Sequence, residues 1–168
     1  SQTGQSALDQ SASLVERGIE LYDNNEYHRA IQVFDSVSPC DPNYAWAIYE
    51  KSLCLWQLDE NDEAYRLCRE AHALNPSDAA IAITLGSILD DLGKTREAID
   101  SFRSSLKIWP YNSNLRFNLG VTYLRNNQPE EAEEALLQGI RIKPFHATSH
   151  LALAQANFVM GRLSKSYL

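Results

Sequence analysis

The chain has 168 residues, 44% of them apolar, and its 22 acidic against 15 basic side chains give a formal charge of −7. That length and apolar share suit one packed domain and exclude a disordered chain, while the acidic balance argues against a nucleic-acid footprint, which needs clustered Lys and Arg. No stretch reaches the roughly 18 consecutive apolar residues of a membrane span.

Residues 1–10, SQTGQSALDQ, lack the basic and apolar regions of a signal peptide and read as an N-terminal tail or helix extension. The chain opens without Met, so a processed terminus and a boundary within a longer protein both stay open, and with them the compartment: cytoplasmic, periplasmic or secreted. Beyond this segment one period organises everything. Pro42, Pro76, Pro110 and Pro144 recur every 34 residues, which sets repeats at 11–44, 45–78, 79–112 and 113–146 and a fifth that starts at 147 and is cut at 168.

Each repeat predicts a helix A of about 14 residues, a short turn, a helix B of similar length and a proline-containing connection. Repeat 1 places Gly18 and Leu21 on helix A, Asn25 in the turn, and Ala30, Phe34 and Val37 on helix B. Repeat 2 has Ser52, Leu55, Asp59, Ala64, Cys68 and Ala71 at the same offsets, and repeat 3 has Gly86, Leu89, Gly93, Ala98, Phe102 and Ser105. Repeat 4 follows with Gly120, Tyr123, Asn127, Ala132, Leu136 and Gly139, and the fifth begins Ala154, Asn157, Gly161, Ser166, Asn157 being the one break in its column.

The small residues let two helices cross closely, and the large ones read as core. The Asn, Asp and Gly of the turn are the types that best tolerate a left-handed backbone. In repeat 4 the turn runs on as Gln128-Pro129-Glu130-Glu131, putting Pro at a helix start and carboxylates at the positive end of its dipole. No segment alternates like a strand.

Cys40, Cys54 and Cys68, spaced by 14, match neither a Cys-x-x-Cys metal site nor a disulfide framework, and read as buried free thiols. A Cys54–Cys68 disulfide is the alternative in an oxidising compartment.

On these columns the chain resembles the tetratricopeptide repeat family, as in Leu85-Gly86, Ala98, Phe102 and Pro110 of repeat 3 and Leu119-Gly120, Tyr123, Ala132 and Pro144 of repeat 4. The resemblance covers residues 11–168; repeats 1 and 2 depart from it with Arg17 and Lys51 where Leu is usual, and no repeat carries the family's Trp. It implies an all-α fold, a right-handed superhelical array of antiparallel helix-turn-helix repeats whose helices A line a concave groove.

The same resemblance picks out the groove positions. Repeat 1 offers Val15, Glu16, Ile19, Tyr22 and Asp23, and repeat 2 offers Trp46, Tyr49, Glu50, Leu53, Trp56 and Gln57. Repeat 3 offers Ile83, Thr84, Ser87, Asp90 and Asp91, repeat 4 Asn114, Phe117, Asn118, Val121, Leu124 and Arg125, and the fifth Thr148, Leu151, Gln155 and Phe158. Aromatics here suit binding anchors, although packing against neighbouring helices, or against another part of the same protein, is the alternative for each. Glu16, Asp23, Glu50, Asp90 and Asp91 against Arg125 alone favour a basic or aromatic ligand segment, the alternative being that these carboxylates are simply solvated or pair with Arg on adjacent turns. One subset of the family clamps the C-terminal carboxylate of heat-shock chaperones through Lys and Asn on three successive helices A. Of that pattern only Asn118 is present, amid Ile83, Ser87, Thr148 and Ala152, so that function is not carried over.

Chemistry is otherwise sparse. His146 and His150 share an i, i+4 face, but without an intervening Glu or a third ligand they do not imply a metal. His28 and His72 lie on separate helices B, the seven glycines form no phosphate loop, and no spacing suggests a catalytic triad. The expectation is a non-catalytic segment without cofactor or metal.

Helix A of the fifth repeat, LALAQANFVM, is apolar around most of its circumference, and Ser164-Lys165-Ser166-Tyr167-Leu168 is too short to cover it. Further repeats or another domain are therefore expected to follow, or else a homodimer through this end. Three functions compete: a module binding a peptide or helix in the groove, an assembly scaffold, and the docking arm of a larger multidomain protein or enzyme.

Overall fold

The computed structural model describes residues 2–161, and those residues form nine helices and no strand. In chain order they are α1 (Gln2–Asp23), α2 (Tyr27–Phe34), α3 (Tyr44–Gln57), α4 (Asn61–Leu74), α5 (Ala79–Asp91), α6 (Thr95–Ile108), α7 (Ser113–Arg125), α8 (Pro129–Ile142) and α9 (Ala147–Val159). The result is an all-α helical repeat array. Residues 2–10 lie within α1. The helix B expected at Ser164-Lys165-Ser166-Tyr167-Leu168 lies outside the described residues.

The turns explain the regularity. Asn25, Asp59 and Asn127 have φ of 61°, 62° and 56°, and Gly93 and Gly161 have 74° and 72°, so every expected left-handed position is left-handed. In the first four turns the next N–H reaches back five residues to a carbonyl: Glu26 to Leu21 at 2.8 Å, and Glu60 to Leu55, Lys94 to Leu89 and Gln128 to Tyr123, each at 2.9 Å. These bonds close a Schellman motif and satisfy carbonyls that the helix end leaves unpaired. At the other end of each pair, Asn75, Trp109 and Lys143 swing out to φ of −135°, −121° and −130° because a proline follows each of them.

Helix α2 departs from the expected length: it has 8 residues where α4, α6 and α8 each have 14. The cause is Pro39, an additional proline. Its ring would meet the carbonyl of Asp35 in a continued helix, and it bars Ser38 from helical geometry. The shortened helix also corrects the expectation for Cys40, which lies in the connection and is exposed rather than buried. Cys54 and Cys68 are buried free thiols.

The chain divides into two compact units, one up to Ile81 and the other from Ala82. The first holds α1 to α4 around a cluster of Val15, Ala30, Phe34, Val37, Ala47 and Cys54. The second holds α6 to α9 with most of α5, and Ile88, Phe102, Leu115 and Leu136 are fully buried there. Burial of a side chain such as Phe102 contributes about 2–3 kcal/mol.

Both units use the same crossing of helix A on helix B. Gly18 faces Phe34, Gly86 faces Phe102 and Gly120 faces Leu136, each glycine leaving no room for a Cβ. In repeat 2 both partners are small, with Ser52 hydrogen-bonded to Cys68 and both fully buried. The column of small residues seen in the sequence is thus half of a size-matched pair.

Candidate functional site

In the first unit the face that joins α1 to α3 carries most of the expected anchors. Gln57 Nε2 donates to the Tyr22 hydroxyl at 3.3 Å, tying the two helices, and Tyr22 meets Tyr27 edge-on with centroids 5.4 Å apart. Burial pushes the Tyr22 phenol above its usual range, an effect opposed by the Gln57 hydrogen bond.

Near the start of α3, Trp46 is 42% exposed, and its indole Nε1 donates to Glu50 Oε1 at 3.2 Å. Burial raises the Glu50 carboxyl above the ordinary range, opposed by the Trp46 bond and reinforced by Asp23. Trp46 and Tyr49 line a hollow of about 360 Å³ together with Asn75, Asp78 and Ile81. Asn75 and Asp78 belong to the α4–α5 connection, which the repeat register treats as a mere joint, so nothing in the sequence singled them out. Leu53 and Trp56 are half-buried.

Val15, expected on the binding face, is fully buried in the core of this unit, a correction. Position within a helix is enough to bury it, because the cluster around Phe34 and Ala47 lies against that side of α1. Glu16 and Asp23 are exposed and make no ion pair among the described residues.

In the second unit α5, α7 and α9 present the corresponding face. Thr84 is buried, whereas Ile83 and Ser87 are half-buried. The Ser87 hydroxyl donates to the Ile83 carbonyl at 3.0 Å and lies 3.4 Å from Asn118 Oδ1, and Asn118 Nδ2 donates to the Asn114 carbonyl at 2.8 Å. Asp90 is not an open acidic lining residue. Its side chain is 3% exposed and accepts from Thr122 Oγ1 at 3.3 Å and from Arg125 Nη1 at 2.7 Å. The same Arg125 nitrogen reaches Asp91 at 3.0 Å. The expected acidic excess is therefore offset in this unit and persists only in the first.

Phe117 stacks edge-on to His146, with centroids 5.2 Å apart and planes at 83°. Val121 and Leu124 are half-buried, Asn114 is exposed, and Leu151 and Phe158 on α9 are 73% and 65% exposed. His146 shares a hydrogen bond with Ser149, and His150 Nε2 reaches the Pro144 carbonyl at 2.6 Å. The pair is thus occupied within its own segment. Among the described residues no group of three or more His, Cys, Asp or Glu is placed to hold a metal ion, and no helix is long and apolar enough to cross a membrane.

The arrangement offers aromatic, amide and carboxylate groups on the same faces. Similar proteins carry the same repeats. The chain is 28% identical over 116 residues to a peroxisomal targeting signal receptor of Candida albicans, which covers 67% of this chain and 20% of that protein. It is 34% identical over 104 residues to tetratricopeptide repeat protein 33 of Homo sapiens, 62% of this chain and 40% of the relative. An N-terminal acetyltransferase A complex auxiliary subunit of Arabidopsis thaliana is 23% identical across 97% of the chain, which again corresponds to 18% of the relative.

The chain thus spans from under a fifth to two fifths of these relatives. Among solved structures, MamA from Desulfovibrio magneticus RS-1 superposes with a TM-score of 0.79 at 15% identity, covering 94% of this chain and 89% of that one, a likeness of fold. Tetratricopeptide repeat models match residues 49–113 and 91–157; with left-handed turns, small-on-large helix crossings and helix-ending prolines at the spacing of that repeat, the chain belongs to the tetratricopeptide repeat family.

Proposed function

We propose that this chain is a non-catalytic protein-interaction module that holds a peptide or helix segment of a partner protein on the faces of its helices A, with repeats bounded at 11–44, 45–78, 79–112 and 113–146. The observation that carries the reading is the hollow beside Trp46 and Tyr49. A half-exposed indole, a phenol and the Asp78 side chain line that space, while Glu50 holds the indole Nε1 and Asp78 Oδ1 accepts from the Ala80 N–H. Rigid aromatics bind with little loss of side-chain freedom, and a half-buried carboxylate such as Asp78 favours a cationic or hydrogen-bond-donating guest. A basic or aromatic segment is the ligand chemistry that fits the first unit. Tyr22, Leu53 and Trp56 extend this surface, and Ile83, Ser87, Asn114, Phe117, Asn118, Val121 and Leu124 form its counterpart in the second unit.

Selection from a displayed library of random peptides tests this reading. The expected result is enrichment of Lys-, Arg- or aromatic-containing peptides whose binding falls on Trp46→Ala with helicity retained. Peptides that bind Trp46→Ala as well as the parent would sink it.

A second reading, assembly between copies or with further parts of a longer protein, is favoured by one observation: Leu151, Phe158 and Val159 on α9 stay 73%, 65% and 55% exposed. Sedimentation of the parent and of Leu151→Asp/Phe158→Asp separates the two, since a dimer abolished by the substitutions supports assembly and a concentration-independent monomer removes the homodimer.

A further inference from the structure

Helix α7 has a second working side. Opposite Phe117, Val121 and Leu124, its Leu119 and Tyr123 floor a cleft of about 750 Å³ walled by α6 and α8. The α6 wall presents Arg96 and Arg103, and the α8 wall presents Glu131 and Glu134. None of these four side chains makes an ion pair among the described residues. The glutamates only accept from the amides of their own helix and its approach, Gln128 to Glu131 at 2.9 Å and Gln138 to Glu134 at 3.2 Å. Asp100, between the two arginines, also makes no ion pair among the described residues. At one end Arg116 is locked on the Pro110 carbonyl at 2.7 Å and on Gln138, so it shapes the cleft rather than filling it.

The first unit supplies an internal comparison. The equivalent cleft there, between α2 and α4 over α3, is only about 240 Å³. Lys51, standing where Leu119 stands in the second unit, reaches across it to Asp35 at 2.6 Å. Arg66 is bound by Glu63 at 2.6 Å, and Tyr44 donates to Glu70 at 3.2 Å. The same architecture therefore closes with internal ion pairs in one unit and stays open, with charges of opposite sign on facing walls, in the other.

We propose that the α6–α8 cleft is a second docking surface and that its occupant is an amphipathic helix of another protein, carrying carboxylates along the edge that meets Arg96 and Arg103 and Lys or Arg along the edge that meets Glu131 and Glu134. The spacing selects a helix. The wall charges stand at i and i+7 on α6, a rise of about 10 Å, and at i and i+3 on α8, a rise of about 4.5 Å, and a helix lying along the cleft matches both with its own residues at the same two spacings. An extended strand, at roughly 3.3 Å per residue, falls out of step. The floor residues Leu119, Ile99 and Ala135 are apolar but already buried, with Tyr123 half-buried beside them, so the floor offers only a narrow contact and the charged edges carry the recognition. Desolvated opposite charges on each edge set its register and exclude helices of a single sign.

The test uses the full chain and three alanine-rich helical probes of about 20 residues, with Glu on one edge and Lys on the other, Glu on both, or Lys on both. Fluorescence anisotropy is expected to show the mixed probe binding the parent at least about tenfold tighter than either single-sign probe. Arg96→Glu/Arg103→Glu should reverse that order in favour of the Lys/Lys probe, and Glu131→Lys/Glu134→Lys should favour the Glu/Glu probe. These exposed positions allow both variants to be checked for unchanged circular dichroism. Equal binding of the three probes, or a mixed-probe affinity unmoved by Arg96→Glu/Arg103→Glu, overturns the proposal. So does a homodimer of the parent that the same substitutions dissolve, because the occupant is then a second copy. Trp46→Ala, which tests the other face, should leave mixed-probe binding unchanged.

Discussion

A Cβ placed on Gly86 would lie 2.5 Å from Cε1 of Phe102 and 2.6 Å from its Cζ, so the aromatic ring of helix B occupies the volume that any other residue of helix A would need. The ring is fully buried and cannot give way at low cost. Gly86→Ser should therefore destabilise the chain by about 1–3 kcal/mol, and Phe102→Cys by about 2–4 kcal/mol through the cavity it opens. The double variant recreates the Ser52–Cys68 pairing already present in repeat 2. Urea denaturation followed by circular dichroism should show it more stable than additivity predicts by about 1 kcal/mol or more; strict additivity would mean that the two sites do not share volume.

Asp90 and Arg125 form the most buried ion pair among the described residues, and only the carboxylate side is sequestered: 3% exposed against 54%. Removing the arginine leaves a desolvated carboxylate with only Thr122 as its remaining partner, whereas replacing the acid leaves an arginine that water can reach. Arg125→Met is expected to cost about 2–4 kcal/mol, and Asp90→Asn clearly less. Equal losses, measured by thermal melts of both variants, would show that Asp90 is effectively solvated.

Much of this architecture is legible in residue types, for a physical reason: the backbone tolerates few alternatives there. A left-handed turn admits Asn25, Asp59 and Gly93, and a helix crossing over Phe34 or Phe102 admits glycine. The candidate faces are less legible. The family resemblance assigns Val15 and Asp90 to a binding surface, but the neighbours that bury one and pair the other come from tertiary packing. The shortening of α2 and the exposure of Cys40 hang on one residue, Pro39, which lies outside the 34-residue pattern. The α6–α8 cleft depends on what stands opposite what across three helices, and no single column carries that.

Glu50 gives the first unit a pH signature. Burial raises its folded-state value above the unfolded one, so the folded chain binds the proton more tightly than the unfolded chain. Its contribution is favourable below the unfolded carboxyl value, about 4.3, and is lost as pH rises through the raised folded value. Glu50→Gln keeps an acceptor for Trp46 and removes the titration. The variant should melt above the parent at neutral pH, with the difference shrinking as pH falls toward about 4. The Trp46 emission of a Trp56→Phe/Trp109→Phe background, with Glu50 retained, should titrate in the same window. A pH-independent difference in melting temperature would remove the assignment.

Pro39 and the thiols make the last prediction together. Burial pushes Cys54 and Cys68 up to about 12, with Glu50 adding to the effect at Cys54, while Cys40 stands exposed behind the short α2. Because only the thiolate attacks a disulfide reagent, the native chain at about pH 8 should release one equivalent of thiol quickly and the other two only on unfolding. Pro39→Ala removes the block on α2, so the helix is expected to extend past Phe34 by up to a turn, seen as helical backbone chemical shifts at Ser36 and Val37. If the connection is drawn into that helix, the rate at Cys40 should change while the two slow thiols stay slow. Unchanged shifts would mean that Asp41 and Pro42, and not Pro39, set where α2 stops.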